Sequence, residues 1–277
     1  MKKIYFYGQD INLGSFQMRG HQVSSYLNLV GIESECINHT DVEDSIVIAV
    51  KHISMDAIRD LRKKGNKIIL DVIDLFCYQR YASQFLSLTA VDGAITCTES
   101  VKNFFMPWMP NLVMTIPHHW DTRLIDKAED TETFAIGYIG DKINHELVAV
   151  DNVVPVYQDW VNSAFKFKCH YSVRRPHSVA ANFKPPTKIS TAAAVGANII
   201  TTRDAGVIEL LGNDYPYYVD YDKPSINKMV EKVRQDWLEG TEDWQKGLDY
   251  MTAVRKKTAL PVCADGYIKF AEALSGS

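Results

Sequence analysis

Residues 134–141 read FAIGYIGD. An apolar run flows into a glycine-bearing turn near the middle of a 277-residue chain. The same pattern opens the chain, where Ile4–Tyr7 (IYFY) leads into Gly8. A short, continuous apolar run stopped by a turn signal marks a strand buried on both faces. Its return after the polar stretch Asp121–Thr133 predicts that one α/β pattern ends and a second begins. A length of 277 residues is large for one core and suits two small ones.

Working outward, apolar runs alternate with helical patterns. Ser45–Val50 (SIVIAV), Lys67–Leu70, Gly93–Thr96 (GAIT) and Leu112–Ile116 read as strands. Val23, Tyr26, Leu27 and Val30 stand at helical spacing after a loop that begins near Leu13. Met55–Lys64 is an amphipathic helix stopped by Gly65. Beyond the restart, strands are expected within Phe165–Tyr171 and at Ala197–Thr201, and a short helix at Ala205–Leu211. Helices follow over about 223–238 and 241–256, and an amphipathic stretch over about 261–274. The expected class is α/β: two Rossmann-like domains facing a cleft, each with a parallel sheet covered on both faces. The domains are placed at 1–125 and 126–260, joined by a hinge near 121–133, with a helix at 261–277 able to pack back on the first.

Composition narrows the class. With 46% hydrophobic and 23% charged residues the chain is an ordinary soluble globular protein. A net charge of −4 argues against a protein that coats nucleic acid, and leaves room for a local basic pocket. The five cysteines, Cys36, Cys77, Cys97, Cys169 and Cys263, form no C-x-x-C pair, which suits a reducing, cytoplasmic setting. The opening residues do not read as a signal peptide. No apolar run reaches the roughly 18 residues of a membrane span, so any membrane association is expected to be peripheral.

A second stretch carries chemistry: FKPPTKISTAAAVGANIITTRDAG, residues 183–206. Pro185-Pro186 mark a helix start, Thr187 to Val195 the helix, and Gly196 its stop. The alanines give the helix a slim face. Its N-terminus offers unpaired N–H groups and partial positive charge, and Lys184 and Lys188 stand beside it. That combination is an anion site with phosphate as the obvious occupant. The alternative is a solvated lysine pair on an ordinary helix.

This segment resembles the donor-binding segment of GT-B glycosyltransferases (glycosyltransferase family 1/4-like), where a Lys-x-x-Glu or similar element starts a small-residue helix ending Ala-x-Gly. Lys188 and Gly196 match. The glutamate that grips ribose in that family falls at Thr191, which can hydrogen-bond a hydroxyl but not as a bidentate carboxylate. Phe183 stands where the first glutamate of an E-x7-E signature would fall. These departures bring the chain nearer to branches similar to xanthan-type glucuronosyltransferases. Further segments resemble the family in order: INLGSFQMRG (11–20), LDVIDLF (70–76), GAITCTES (93–100), VMTIPHHWD (113–121) and FAIGYIGD. The chain is short for the family.

The resemblance implies a hexosyltransferase-type enzyme that moves a sugar from a UDP- or GDP-sugar to a hydroxyl acceptor, with no metal and no cofactor. The acceptor is left open among glycan, lipid-linked, protein or nucleic acid. Donor contacts are expected at Gly14, Ser15 and Arg19 in the first glycine loop and at Gly140 after the restart strand. Arg174, next to Arg175 after an expected strand, could neutralise the leaving diphosphate or equally belong to an exposed pair, and Lys184, Thr187, Lys188 and Thr191 would hold the donor at the small-residue helix. Gly14-Ser15 could equally be a plain turn, and Arg19 a surface charge. Glu209 matches a Glu-(Leu/Ile) pair of the family and could equally serve structure.

The catalytic base is sought among Asp71 and Asp74, which end a predicted strand at its carboxyl end. Asp71 could instead cap the following turn. Ile73, Leu75 and Phe76 could desolvate Asp74. His118 and His119 are further candidates and are expected in the hinge loop, lining the cleft. No zinc-ligand spacing accompanies them, so no metal is expected. Gly8, Gly14 and Gly20 do not form G-x-G-x-x-G, and no G-x-x-x-x-G-K-[ST] occurs, which disfavours a nicotinamide enzyme and a P-loop NTPase. Two other readings stand: a sugar-nucleotide epimerase of the same fold, and a non-catalytic nucleotide-sugar binding module, suggested by the missing glutamates.

Overall fold

The computed structural model describes residues 2–74, 81–108, 112–124, 133–142, 150, 152–175 and 183–275. The chain divides into two compact units: Met1–His119, Asn182–Pro185 and Ala259–Ser277 form the first, Trp120–Ala181 and Pro186–Thr258 the second. The expected hinge at 121–133 runs through 125–132, which lie outside the described residues.

The first unit holds six parallel strands: β1 (Ile4–Tyr7), β2 (Ser34–Ile37), β3 (Ile46–Val50), β4 (Lys67–Val72), β5 (Gly93–Thr96) and β6 (Leu112–Thr115), in the order β2-β1-β3-β4-β5-β6. Every residue of β3 is buried, as a central parallel strand covered on both faces requires. Alternate residues feed opposite layers. Ile4, Phe6, Ile46, Ile48, Ile69 and Ile95 face one core, and Tyr7, Val47, Ala49, Ile68, Leu70 and Ala94 the other. Helix α1 (residues 14–29) runs through a turn at Gly14–Phe16, a π-helical segment at Gln17–Gln22 and an α-helical segment at Val23–Leu29. Its Phe16 ring is seated against two glycines: a Cβ on Gly8 would lie 2.4 Å from the ring, and one on Gly20 2.9 Å. Helix α2 (Met55–Lys63) starts on Ser54, whose side chain accepts from the Ala57 N–H. It is followed by Gly65 at φ +76°, a backbone that glycine adopts without strain. Helices α3 (Tyr81–Ala90) and α4 (Glu99–Phe105) follow β4 and β5.

The second unit holds β7 (Ile136–Ile139), β8 (Val153–Val156), β9 (Cys169–Ser172) and β10 (Asn198–Thr201), all parallel, in the order β10-β9-β7-β8. Around them lie α5 (Thr187–Ala194), α6 (Ala205–Leu211), α7 (Lys223–Glu239) and α8 (Glu242–Lys257). The strand expected within Phe165–Tyr171 begins later, at Cys169, because Ala164–Lys166 form a 3₁₀ turn. That turn presents the Ala164 carbonyl to His170 Nε2 at 3.1 Å. The chain then returns to the first unit as α9 (Leu260–Ser275). Leu260, Cys263, Ala264, Tyr267, Phe270, Ala271 and Leu274 recur at intervals of three and four and fill the face of the first sheet that α1 also covers.

Both sheets have α/β construction with parallel strands. No helix among the described residues is long and apolar enough to cross a membrane.

Candidate functional site

Parallel strands point their last residues toward the carboxyl edge of the sheet, where open α/β folds hold ligands. In the first unit a cavity of about 260 Å³ opens at this edge. Gly8 and Asp10 beyond β1, Ser15 and Phe16 at the start of α1, and Lys51 and His52 beyond β3 line it. Two of the residues that leave this edge have left-handed backbones although neither is glycine: Lys51 at φ +75° and Asp74 at φ +63°. Such conformations cost a non-glycine residue free energy and concentrate at functional positions. Lys51 follows β3 directly, and its N–H donates to the Asp71 carbonyl at 2.9 Å. Its Nζ reaches Asp74 Oδ2 at 3.1 Å, with both side chains partly exposed.

Behind this edge lies a sealed polar knot. Arg19, in the π-helical segment, is fully buried. Its Nε and Nη2 donate to the two Asp71 carboxylate oxygens at 2.8 and 2.7 Å. Its Nη1 donates to the carbonyls of Ile116 and Pro117 at 3.1 and 2.9 Å. Tyr267 of α9 donates its hydroxyl to Asp71 Oδ2 at 2.6 Å. This corrects the expectation that Arg19 meets donor phosphate: a guanidinium with no solvent exposure, all three of its nitrogens bonded inside the protein, has nothing to offer an anion. It corrects Asp71 as a catalytic base as well. That carboxylate neither caps a turn nor meets solvent, and it balances a buried cation whose loss of hydration only close pairing can offset. His118 and His119 lie in the loop after β6 and stack beside the knot, but they are buried, which corrects the expectation of an accessible pair. Burial, with Arg19 adding to it, pushes His118 down to about 4. Burial also holds His119 well below the usual range, with His118 and Arg19 reinforcing it. His119 Nε2 lies 3.1 Å from Gln22 Oε1. Neither ring is placed to accept a proton near neutral pH.

In the second unit the edge is formed by the end of β7, the end of β9 and the start of α5. Lys188, in the first turn of α5, carries its Nζ across the Tyr138 ring, 3.7 Å from the ring centre. Gly140 makes this approach possible: it sits at φ +151°, and a Cβ there would lie 2.8 Å from Lys188 Nζ. The Tyr138 hydroxyl donates to the Asp141 carbonyl at 3.0 Å. Burial pushes this phenol up to about 12, with Asp141 adding to the rise and Arg174 opposing it. His170 lies beneath, pushed down to about 4 by burial, with Lys188 contributing. A small recess of about 20 Å³ is lined by Ile139, His170, Tyr171, Lys188 and Thr191.

The structure brings Gly140, Thr187, Lys188 and Thr191 together in the second unit. Thr191 is buried, and its hydroxyl donates back to the Thr187 carbonyl at 3.0 Å, so its proton is spent within its own helix. Arg174 follows β9, donates its backbone N–H to Thr202 Oγ1 at 3.2 Å, and acts on both Tyr138 and Asp204. Lys184 does not share a unit with Lys188. It belongs to the short segment of the first unit in which Phe183 packs edge-on against Phe104, ring centres 4.8 Å apart. Gly14 opens α1 with empty space around it, and Ser15 lines the cavity. Asp74 is at the edge as expected, but Leu75 and Phe76, named as its desolvating neighbours, lie outside the described residues. Sequence reasoning missed Lys51, Tyr138 and Tyr267. For Lys51 the available signal was its place, the first residue after a fully buried strand.

No protein-family model matches this sequence, and no curated protein does. Solved structures match over its whole length. The chain is similar to a glycosyltransferase from Rickettsia africae, with TM-score 0.71, 11% identity, and coverage of 100% of this chain and 99% of that one. It is similar to the sucrose-phosphate synthase of Thermosynechococcus elongatus, with TM-score 0.68, 10% identity and 100% of both chains covered. Anabaena HepE, solved in complex with UDP-glucose, gives TM-score 0.68, 10% identity and 100% of both chains. At such identities the likeness shows the fold: a Rossmann-like α/β chain of the GT-B type.

Proposed function

We propose that this chain is a glycosyltransferase that moves a sugar from a nucleotide-sugar donor to a hydroxyl acceptor, without a metal or cofactor. The observation that carries the reading is Lys188: a cation in the first turn of a small-residue helix, at the carboxyl edge of a parallel sheet, beside a glycine whose missing side chain leaves it room. The fold supports it, and one structure of that fold holds UDP-glucose. In this reading the second unit binds the nucleoside diphosphate, of UDP or GDP type. Lys188 and the amide groups at the start of α5 meet the phosphates, with Arg174 as a further cation and Thr187 and Thr191 near the sugar end of the nucleotide. As the acceptor oxygen bonds to the anomeric carbon, the bond from that carbon to the diphosphate breaks and negative charge grows on the departing phosphate. Fixed positive groups stabilise that charge more as it develops than before. The first unit binds the acceptor, a hexose-accepting glycan or another hydroxyl compound, and Asp74 takes the hydroxyl proton. Four described cysteines are free thiols, which agrees with work in the cytoplasm.

The test is a panel of UDP- and GDP-sugars, read first by thermal shift and then by released sugar. Binding stabilises the folded state by mass action. A stabilising donor that is also slowly hydrolysed supports the transferase. No stabilisation by any donor overturns it. One observation favours a second reading: neither Phe183 nor Thr191 supplies an acid where the resemblance places its glutamates. A donor that stabilises the protein and is neither hydrolysed nor converted would make the chain a nucleotide-sugar binding module, and a donor returned as its epimer would make it an epimerase.

A further inference from the structure

The pairing of Lys51 with Asp74 has no counterpart in the motifs that carry the fold. We infer that Lys51 is a positioning residue for Asp74, holding that carboxylate at the rim of the first unit's cavity in the orientation that takes the acceptor proton. The inference rests on the transferase reading and adds a residue to it. Three observations converge. Lys51 and Asp74 leave neighbouring parallel strands, β3 and β4, whose register pairs Val50 with Asp71. Both have left-handed backbones, at φ +75° and +63°, in residues for which that conformation is costly. Their side chains meet at 3.1 Å, and Lys51 itself lines the cavity of about 260 Å³.

Stability alone accounts poorly for this arrangement. A partly exposed ion pair adds little to stability, from about zero to 1 kcal/mol. Two strained backbones cost more than that, of order 1–3 kcal/mol each. The pair therefore earns its place by geometry: the strained turns bring a carboxylate against an ammonium that itself lines an open cavity. Lys51 binds Oδ2. When the acceptor oxygen bonds to the anomeric carbon, its proton passes to Asp74, the diphosphate departs with the electron pair of the broken bond, and Lys51 keeps its own protons.

The experiment measures sugar release from UDP-glucose and GDP-glucose by wild-type protein, Lys51→Met, Lys51→Arg, Lys51→Gly, Asp74→Asn and the double variant Lys51→Met/Asp74→Asn, with UDP and GDP affinity by calorimetry. Lys51→Met should lower kcat by about tenfold with nucleotide affinity within twofold, the mark of an effect confined to the transition state. Lys51→Gly relieves the backbone and removes the charge, so it should lose as much as Lys51→Met. Lys51→Arg should recover most of the loss. In the Asp74→Asn background, Lys51→Met should cost nothing further, because a residue that acts through another is silent once its partner is gone. Losses that multiply, full activity in Lys51→Gly, or an unchanged kcat in Lys51→Met would each overturn the inference while leaving a transferase in place. Nucleotide binding without sugar release from the wild type removes the transferase reading, and this one with it.

Discussion

At the carboxyl edge of the first sheet, Lys51 is tied to Asp74 beside a cavity of about 260 Å³. At the same edge of the second, Lys188 lies across the Tyr138 ring and the recess beneath is about 20 Å³. One edge opens onto a cavity beside two left-handed turns, and the other is occupied by its own lysine. The difference follows from how each cation is held. Lys51 is fixed by its backbone and by a carboxylate. Lys188 rests on a π face, an attraction worth about 0.5–2 kcal/mol. Under the proposed function a charge-assisted bond to phosphate, worth about 1.5–3 kcal/mol, would compete with the ring for that lysine.

The sharpest way to break this contrast is Asp74→Asn. If the first edge serves chemistry alone, turnover falls by about 10²–10⁴ while nucleotide affinity stays. A loss of affinity instead would erase the division of labour. The next effect is on stability. Arg19→Met leaves Asp71 buried without its partner, a change that costs roughly 3–5 kcal/mol. Adding Asp71→Leu should recover most of it. Hydrogen exchange read separately on peptides from each unit checks this: the first unit should lose protection and the second should not.

Acid tests the two units in parallel. His118 in the first and His170 in the second each titrate at about 4 in the folded protein. The unfolded chain takes up those protons near pH 6.5, so the stabilisation is complete above that pH and fades as pH falls toward 4. About 1.36 kcal/mol per unit over that window gives about 3 kcal/mol for each histidine, as an upper bound. His118→Gln and His170→Gln should each flatten the acid dependence of exchange in one unit only. The smallest effect is Lys188→Ala, expected to weaken UDP binding by about ten- to a hundredfold in calorimetry, with the fold intact. An unchanged affinity would remove the phosphate role from that lysine.

These particulars show what can be read from the chain alone. The restart at FAIGYIGD, the runs IYFY, SIVIAV and GAIT, and the glycine after the small-residue helix correspond to β1, β3, β5, β7 and the end of α5. The strands β2 and β8 escape such a reading because their sequences break the apolar run: SECI carries an exposed Glu35 and VVPV an exposed Pro155. In the site, Gly140, Lys188 and Asp74 stand out as residues that follow strands or open a helix. Lys51 does not, since a lysine after a strand looks like any solvated stop and a left-handed φ is not written in the residue type. The Arg19–Asp71 pair is hidden for another reason. Its partners are 52 positions apart, and the third member, Tyr267, is 196 positions from Asp71. No local period reports a contact of that range.

That range has a consequence for biosynthesis. The first unit's core takes Phe270, Tyr267 and Ala264 from α9, whereas every residue of the second unit precedes position 259. As the chain leaves the ribosome, the unit that begins first is therefore the one that closes last. Its sheet must wait, with one face covered only in part by α1, while the whole of the second unit is made. Contacts of such long range close slowly, and exposed apolar faces invite aggregation. Nascent chains stalled after position 258, once the second unit is clear of the tunnel, should resist protease in that unit and be cut in the first. Equal resistance in both would show that α1 and the sheet hold together without α9.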